Sequence, residues 1–272
     1  MIMATAEIMN LQGSPQGKLE LPEIFQEQIR EDLIRRAVVA ENTLRLQPKG
    51  HYPLAGMNTT ARYYGAMNSY RSGRHMGVAI RPRQKLAGGR QGQVRRIPSA
   101  VKGKRAHPHV IEKRLIEEIN NKEYQKAIRS AVAATAHKEL VKLHHGAEIA
   151  PFVLSNDVES VRKTSEVAAI LERLKMSEDL RKSKNGSLRK GQRRLSHRRH
   201  FRRSILIIVK EDKGIVKAAR NIPGVDVCTT RNLTASLLAP GGVAGRATVW
   251  SENAVSAVSD EVQKLTLRRQ EQ

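Results

Sequence analysis

The residues of this chain best suited to chemistry by type and spacing are its arginines and lysines. Between Glu41 and Glu112 there is no aspartate or glutamate, yet fourteen basic residues stand there. A second acid-free interval, Leu180 to Lys210, holds twelve more. A guanidinium stays charged in proteins and presents a planar fork of donors that matches phosphate oxygens. The remaining 23 basic residues face all 26 acidic ones, so the formal excess of +23 belongs to these two intervals. Segments without counter-charge repel themselves and do not compact alone. They call for an anionic partner.

Three polyanions come into question. A membrane surface asks for an amphipathic helix or a polybasic run beside an anchor, but Pro48, Pro53, Pro82, Pro98 and nine glycines break the first interval. Duplex DNA is usually read by a helix in the major groove, which the same interval cannot supply. Folded RNA fits an extended, Gly-rich and Arg-rich chain interleaved with Tyr52, Tyr63, Tyr64 and Tyr70, because rings and guanidinium planes stack on bases while backbone amides approach phosphates. RNA is the expected partner, and the interval is expected to order only on it.

Other candidate chemistry is thinner. Gly88-Gly89-Arg90-Gln91-Gly92 and Gly241-Gly242-Val243-Ala244-Gly245 could cradle phosphate, but neither carries a Lys-Ser/Thr ending nor joins a strand to a helix in the dinucleotide pattern, so both read as turns. His107 with His109, and His144 with His145, are pairs without a third ligand at metal spacing. Cys228 lies in an apolar strand, the setting of a small buried side chain rather than a nucleophile. No catalytic residue, metal or cofactor is expected. A free-standing RNA-processing or regulatory factor and an enzyme on a Rossmann-like sheet are the alternatives from other classes.

The elements that must hold the basic segments follow from periodicity. Residues 4–11 read as a strand and the segment from Pro22 to near Pro48 as a helix, with Phe25, Ile29, Leu33, Ala37 and Leu44 at helical spacing. Helical spacing resumes over Val110 to Ile119, and Asn120 with Glu123 caps a further helix through Thr135. From Pro151 strands alternate with helices: PFVLS, then Thr164 to Leu174, SILIIVK, Gly214 to Arg220, VDVCTT, NLTASLL, ATVW and a last helix from about Asn253 to Leu267. That order predicts an α/β fold, a three-layer α/β/α globular domain with a mostly parallel sheet, plus a long extended basic loop. Residues 1–46 and 108–272 are assigned to one globular domain, 47–107 to an RNA-binding loop inserted in it, and 180–203 to a basic surface segment. Within that segment Arg189, Arg193, Arg194, Arg198, Arg199 and Arg202 are expected to make a second RNA contact, since QRRLSHRRHFRR leads directly into SILIIVK. One cysteine rules out an internal disulfide and suggests a reducing compartment. No apolar run reaches the roughly 20 residues of a membrane span, and the N-terminus lacks a signal-peptide layout, so a cytoplasmic location without membrane is expected.

RSGRHMGVAIRPRQKLAGGRQGQVRRIPSAVKGKRAHP from Arg71 to Pro108, INNKEYQKAIRSAVAATA from Ile119, AARNIPGVDV from Ala218 and LAPGGVAGRATVWSENAV from Leu238 together resemble the universal large-subunit ribosomal protein four family in its archaeal and eukaryotic type. The short C-terminus after Leu267 resembles archaeal members. The resemblance implies a non-catalytic structural constituent of the large subunit that binds its ribosomal RNA, supports assembly, and extends a loop to the peptide exit tunnel. It places Arg62 and Arg71 on the outgoing arm, Arg74, Arg81 and Arg83 at the turn, and Arg90, Arg95, Arg96, Lys102, Lys104 and Arg105 on the returning arm, all as RNA contacts. Gly73, His75, Met76, Gly77, Val78 and Ile80 are implied to line the tunnel. The implied partners are ribosomal RNA, neighbouring large-subunit proteins including protein twenty-two, and the nascent polypeptide.

Overall fold

The computed structural model describes residues 5–63, 65–68, 72, 74–85, 92–146, 149–188 and 199–265. The chain divides into two compact units, Met1–Arg45 with Ile116–Gln272, and Leu46–Leu115. In chain order the elements are β1 (Thr5–Met9), β2 (Pro15–Glu20), α1 (Glu31–Leu44), β3 (Ala61–Arg62), β4 (Arg83–Gln84), α2 (Asn121–Ala136), α3 (Lys138–His145), β5 (Phe152–Leu154), α4 (Thr164–Arg173), α5 (Ser177–Asn185), β6 (Ser187–Leu188), β7 (Arg199–His200), β8 (Leu206–Val209), α6 (Ile215–Ala219), β9 (Asp226–Thr229), α7 (Ala235–Leu238), β10 (Thr248–Ser251) and α8 (Glu252–Lys264).

Six strands of the first unit form one sheet in the order β2-β1-β5-β10-β8-β9. All neighbours are parallel except the β1–β2 hairpin. Side chains alternate across a strand, and the two cores show it. Val153, Leu206, Ile208 and Trp250 pack with α1, α2, α7 and α8 on one face. Phe152, Leu154, Ile205, Ile207, Val209 and Val249 pack with α4 and α6 on the other. Because both faces are covered, β8 reads as a continuous apolar run rather than an alternating one. Trp250 is fully buried and meets Phe25 edge to face at 5.2 Å between ring centroids. The result is the expected α/β/α sandwich.

Local chemistry explains several element ends. Ser251 closes β10 and caps α8 by accepting a hydrogen bond from Ala254 N at 3.2 Å, and Ala254, Val255, Val258 and Val262 bury one face of that helix. The buried face of α2 is rich in alanine, including Ala127, Ala131 and Ala134, which lets it pack closely against α1 and α7.

Four sequence expectations change. Val110 to Ile119 forms no helix: Val110, Ile111 and Ile116 are exposed, and helical spacing without a surface to bury against does not stabilise a helix. The single helix expected after Pro22 is a 3-10 turn, Glu23–Gln26, followed by α1. NLTASLL divides into a 3-10 turn at Thr230–Asn232 and the short α7. The hairpin partner β2 and helices α3 and α5 were not anticipated.

The second unit is built from two arms running back along each other. His51 N donates to His109 O at 2.9 Å, Lys104 Nζ donates to Asn58 O, and Ala61 pairs with Gln84 across β3 and β4. A methyl group on Gly56 would lie 2.3 Å from Ala106 O, and one on Gly103 would lie 1.9 Å from Ile97 O. Glycine is therefore required at both positions by close approach of backbone to backbone.

Candidate nucleic-acid interface

Ordinary sheets avoid like charges in direct opposition, yet Arg62 and Arg83 are cross-strand partners in β3 and β4. Arg83 is held by its own loop, donating from Nη1 to Gly92 O at 3.1 Å and from Nη2 to Ala79 O at 3.0 Å. Arg81 donates to Ser99 O at 3.1 Å. These two arginines brace the turn and form no ion pair among the described residues. Arg62, Arg74, Arg95, Arg96, Lys102 and Arg105 are exposed. Arg71 and Arg90 lie outside the described residues.

The turn between the arms presents apolar side chains outward. Met76 is 62% exposed, Ile80 67% and Val78 47%, with His75 and Gly77 beside them in the left-handed region at φ +58 and +67. Gly73 lies outside the described residues. Exposed apolar groups on so basic a segment gain nothing from phosphate and suit a surface lined by bases or by another chain.

In the second basic interval, Arg189, Arg193, Arg194 and Arg198 lie outside the described residues, and Arg199 is described only as backbone in β7. Leu180 to Asn185 belong to α5. Arg202 donates to His144 O and stands 3.5 Å from Asp179 Oδ1. It lines a cleft of about 520 Å³ together with Arg45, His144, His145, Phe201, Arg203, Val243 and Arg246. Among the described residues no aspartate or glutamate lines that cleft. The turn Pro240–Gly242, between α7 and β10, forms another part of its wall, so the second glycine-rich stretch is indeed a turn. Sequence reasoning did not single out Arg45, Phe201 or Arg203. The adjacency Phe201-Arg202-Arg203, an aromatic ring inside a basic run, was the available signal.

The sequence model of the ribosomal protein L4/L1 family matches residues 19–261. The chain belongs to that family. It is 41% identical over 260 residues to large ribosomal subunit protein uL4 of Methanocaldococcus jannaschii, covering 94% of this chain and 98% of the relative. The proteins of the same name from Methanothrix thermoacetophila and Archaeoglobus fulgidus are 44% and 40% identical, each over 94% of this chain and 99% and 98% of their own lengths. These relatives are archaeal, and the chain is of archaeal type.

Buried polar nodes pin the sandwich, among them Glu41, Arg246 and Asp179. Glu41 accepts hydrogen bonds from Tyr124 Oη at 2.7 Å, Ala235 N at 2.6 Å and Ser236 N at 2.8 Å, tying α1 to α2 and α7. Burial, followed by the Glu41 charge, drives the Tyr124 hydroxyl far above its ordinary value, so it stays protonated and can donate to Glu41. Arg246, 1% exposed, donates to Ser204 O, Leu237 O, Ile205 O and Asp226 Oδ2 at 2.7, 2.7, 3.2 and 2.7 Å. Asp179 accepts from His145 Nδ1 at 2.8 Å and from Ser204 Oγ. Arg202 faces its other oxygen as an ion pair without hydrogen-bond geometry.

Burial pushes the Cys228 thiol up to about 12, which leaves it protonated at neutral pH. Among the described residues no cluster of three or more His, Cys, Asp or Glu could hold a metal ion, and no helix is long and apolar enough to cross a membrane.

The Asp179 node gives the sandwich an acid-sensitive joint. Burial alone would raise this carboxyl, but hydrogen bonds from His145 and Ser204, with the charges of His145 and Arg202, hold it below its usual value. A folded value below the unfolded one, about 3.9, means the contribution is fully present above about pH 4 and is lost as pH falls through the folded value. Asp179→Asn is therefore expected to lower the urea midpoint of the full-length protein at pH 7, with the gap to wild type closing in acid. A gap of constant size from pH 7 to pH 3 would contradict this role.

Proposed function

We propose that this chain is a structural constituent of the large ribosomal subunit that binds its ribosomal RNA and supports its assembly, in the cytoplasmic ribosome. The observation that carries the reading is the charge of the unit Leu46–Leu115, where Glu112 is the sole acidic residue. Between Glu41 and Glu112 the sequence offers its arginines no acidic residue, and a phosphate backbone supplies the missing charge. The names of the archaeal relatives point the same way. Residues 47–107 are the RNA-binding loop of a globular domain formed by 1–46 and 108–272, and 180–203 is a second RNA contact. The loop tip, Gly73 to Arg83, lines the nascent-peptide exit tunnel opposite protein twenty-two. The exposed Met76, Val78 and Ile80 support that assignment.

Co-sedimentation is the test. Tagged full-length protein is expected to remain with large subunits in stoichiometric amount after a high-salt wash. Release by the wash, or recovery far below one copy per subunit, would instead mark a free-standing RNA-binding factor.

A further inference from the structure

The cleft lined by Arg45, Phe201, Arg202 and Arg203 is distinct in chemistry from the loop. Phe201 is 51% exposed and Val243 49%, so two apolar side chains meet water in a wall otherwise rich in cations. The Arg202 and Arg203 side chains remain 42% and 46% exposed even with their ion pairs to Asp179 and Asp226, the latter at 3.9 Å. Arg45, exposed at the end of α1, makes no ion pair among the described residues. A volume of about 520 Å³ is that of a small-molecule site, roughly 300 to 1,000 Å³. It is too small for a duplex and large enough for one nucleotide.

We propose that this cleft receives a single unpaired nucleotide of the ribosomal RNA, its base stacked on Phe201 and its phosphate held by Arg45, Arg202 and Arg203. Flat apolar surface beside a ring of guanidinium groups is the combination by which proteins hold splayed-out bases, and a phosphate alone would have no use for Phe201. Arg246 does not take part: four of its five N–H groups are spent on Ser204, Ile205, Leu237 and Asp226, and it fixes the floor. The proposal rests on the RNA-binding reading above and adds a site on the globular unit.

Filter binding of full-length protein to transcribed large-subunit RNA, with ultraviolet crosslinking and mapping of both peptide and nucleotide, tests it. Phe201→Ala is expected to weaken binding by roughly tenfold, the size of a lost stacking contact. Phe201→Trp should restore it, and the Phe201 peptide should crosslink to one unpaired nucleotide. Wild-type affinity in Phe201→Ala, equal loss in both variants, or no crosslink at this peptide would overturn the nucleotide site while leaving RNA binding by the loop intact. Failure of the wild-type protein to bind the RNA at all would defeat the broader reading instead. Adenosine monophosphate added to the protein alone separates the two sources of such a ligand. Binding no tighter than millimolar agrees with a nucleotide held within RNA, and micromolar binding would assign the cleft to a free nucleotide and overturn the proposal.

Discussion

Arg246→Ala is expected to remove about 3–5 kcal/mol from the stability of the folded chain, because three backbone acceptors lose their donor and the 32% exposed Asp226 loses its partner at 2.7 Å. The guanidinium bridges the segment leading into β8 through Ser204 O and Ile205 O, α7 through Leu237 O, and β9 through Asp226. Truncation strips donors from three backbone carbonyls, and an unpaired buried acceptor costs about 1–3 kcal/mol. Burial pushes the Arg246 guanidinium below its ordinary value, and the neighbouring Asp226 charge works against that shift. The loss is large against a typical total of about 5–15 kcal/mol. Urea unfolding followed by Trp250 fluorescence measures it directly, because the chain has a single tryptophan, fully buried, on the strand that follows Arg246. Arg246→Lys should recover less than half, since one ammonium cannot reproduce a fork that reaches three elements. A midpoint shift in Arg246→Ala equivalent to less than about 1 kcal/mol, the worth of an ordinary hydrogen bond, would show that the node is incidental.

Arg246 also marks the limit of what the sequence makes legible. Period and apolar content locate β5, β8, β9, β10, α1, α2, α4 and α8, because each buries a face or a run whose spacing is intrinsic to helix or strand. The motif around Arg246 shows that the residue belongs to the pattern without showing that its side chain is buried; that depends on where Ser204 and Asp226 come to rest in three dimensions. Glu41 is similar. In the sequence it merely bounds the acid-free interval, whereas in the fold it accepts three hydrogen bonds between helices. Helix α5 was obscured for another reason: SEDLRKSKN offers few apolar residues, so charge dominates its reading, although Asp179 and Ser183 on it are buried. Over Val110 to Ile119 the error ran the other way, with helical spacing but with Val110, Ile111 and Ile116 left exposed. The arms of the loop were legible as basic and glycine-rich, but the specific need for Gly56 and Gly103 comes from contacts with Ala106 and Ile97 that no local pattern reveals.

Within the loop, the proposed division of labour predicts that changing the tip and changing the arms have different consequences. The tip offers Met76, Val78 and Ile80 to its surroundings, while Ala79 contributes a carbonyl that braces Arg83 at 3.0 Å. Deleting residues 76–80 would remove that brace along with the surface. The triple substitution Met76→Ser, Val78→Ser, Ile80→Ser changes the surface and keeps the backbone. In reconstituted large subunits it is expected to leave incorporation near wild type and to alter nascent-chain arrest or sensitivity to tunnel-blocking drugs. Arg95→Gln with Arg105→Gln should act oppositely. Both positions are exposed, and neither has the positive φ of Arg96, +55, or Lys102, +54, where any substitution would carry backbone strain. Losing two phosphate contacts should flatten the log-log salt dependence of RNA binding by roughly 1.4 to 1.8 and deplete assembled subunits. Equal assembly defects in the tip and arm variants would mean that Met76, Val78 and Ile80 anchor the loop to RNA, and the division between a lining tip and binding arms would fail.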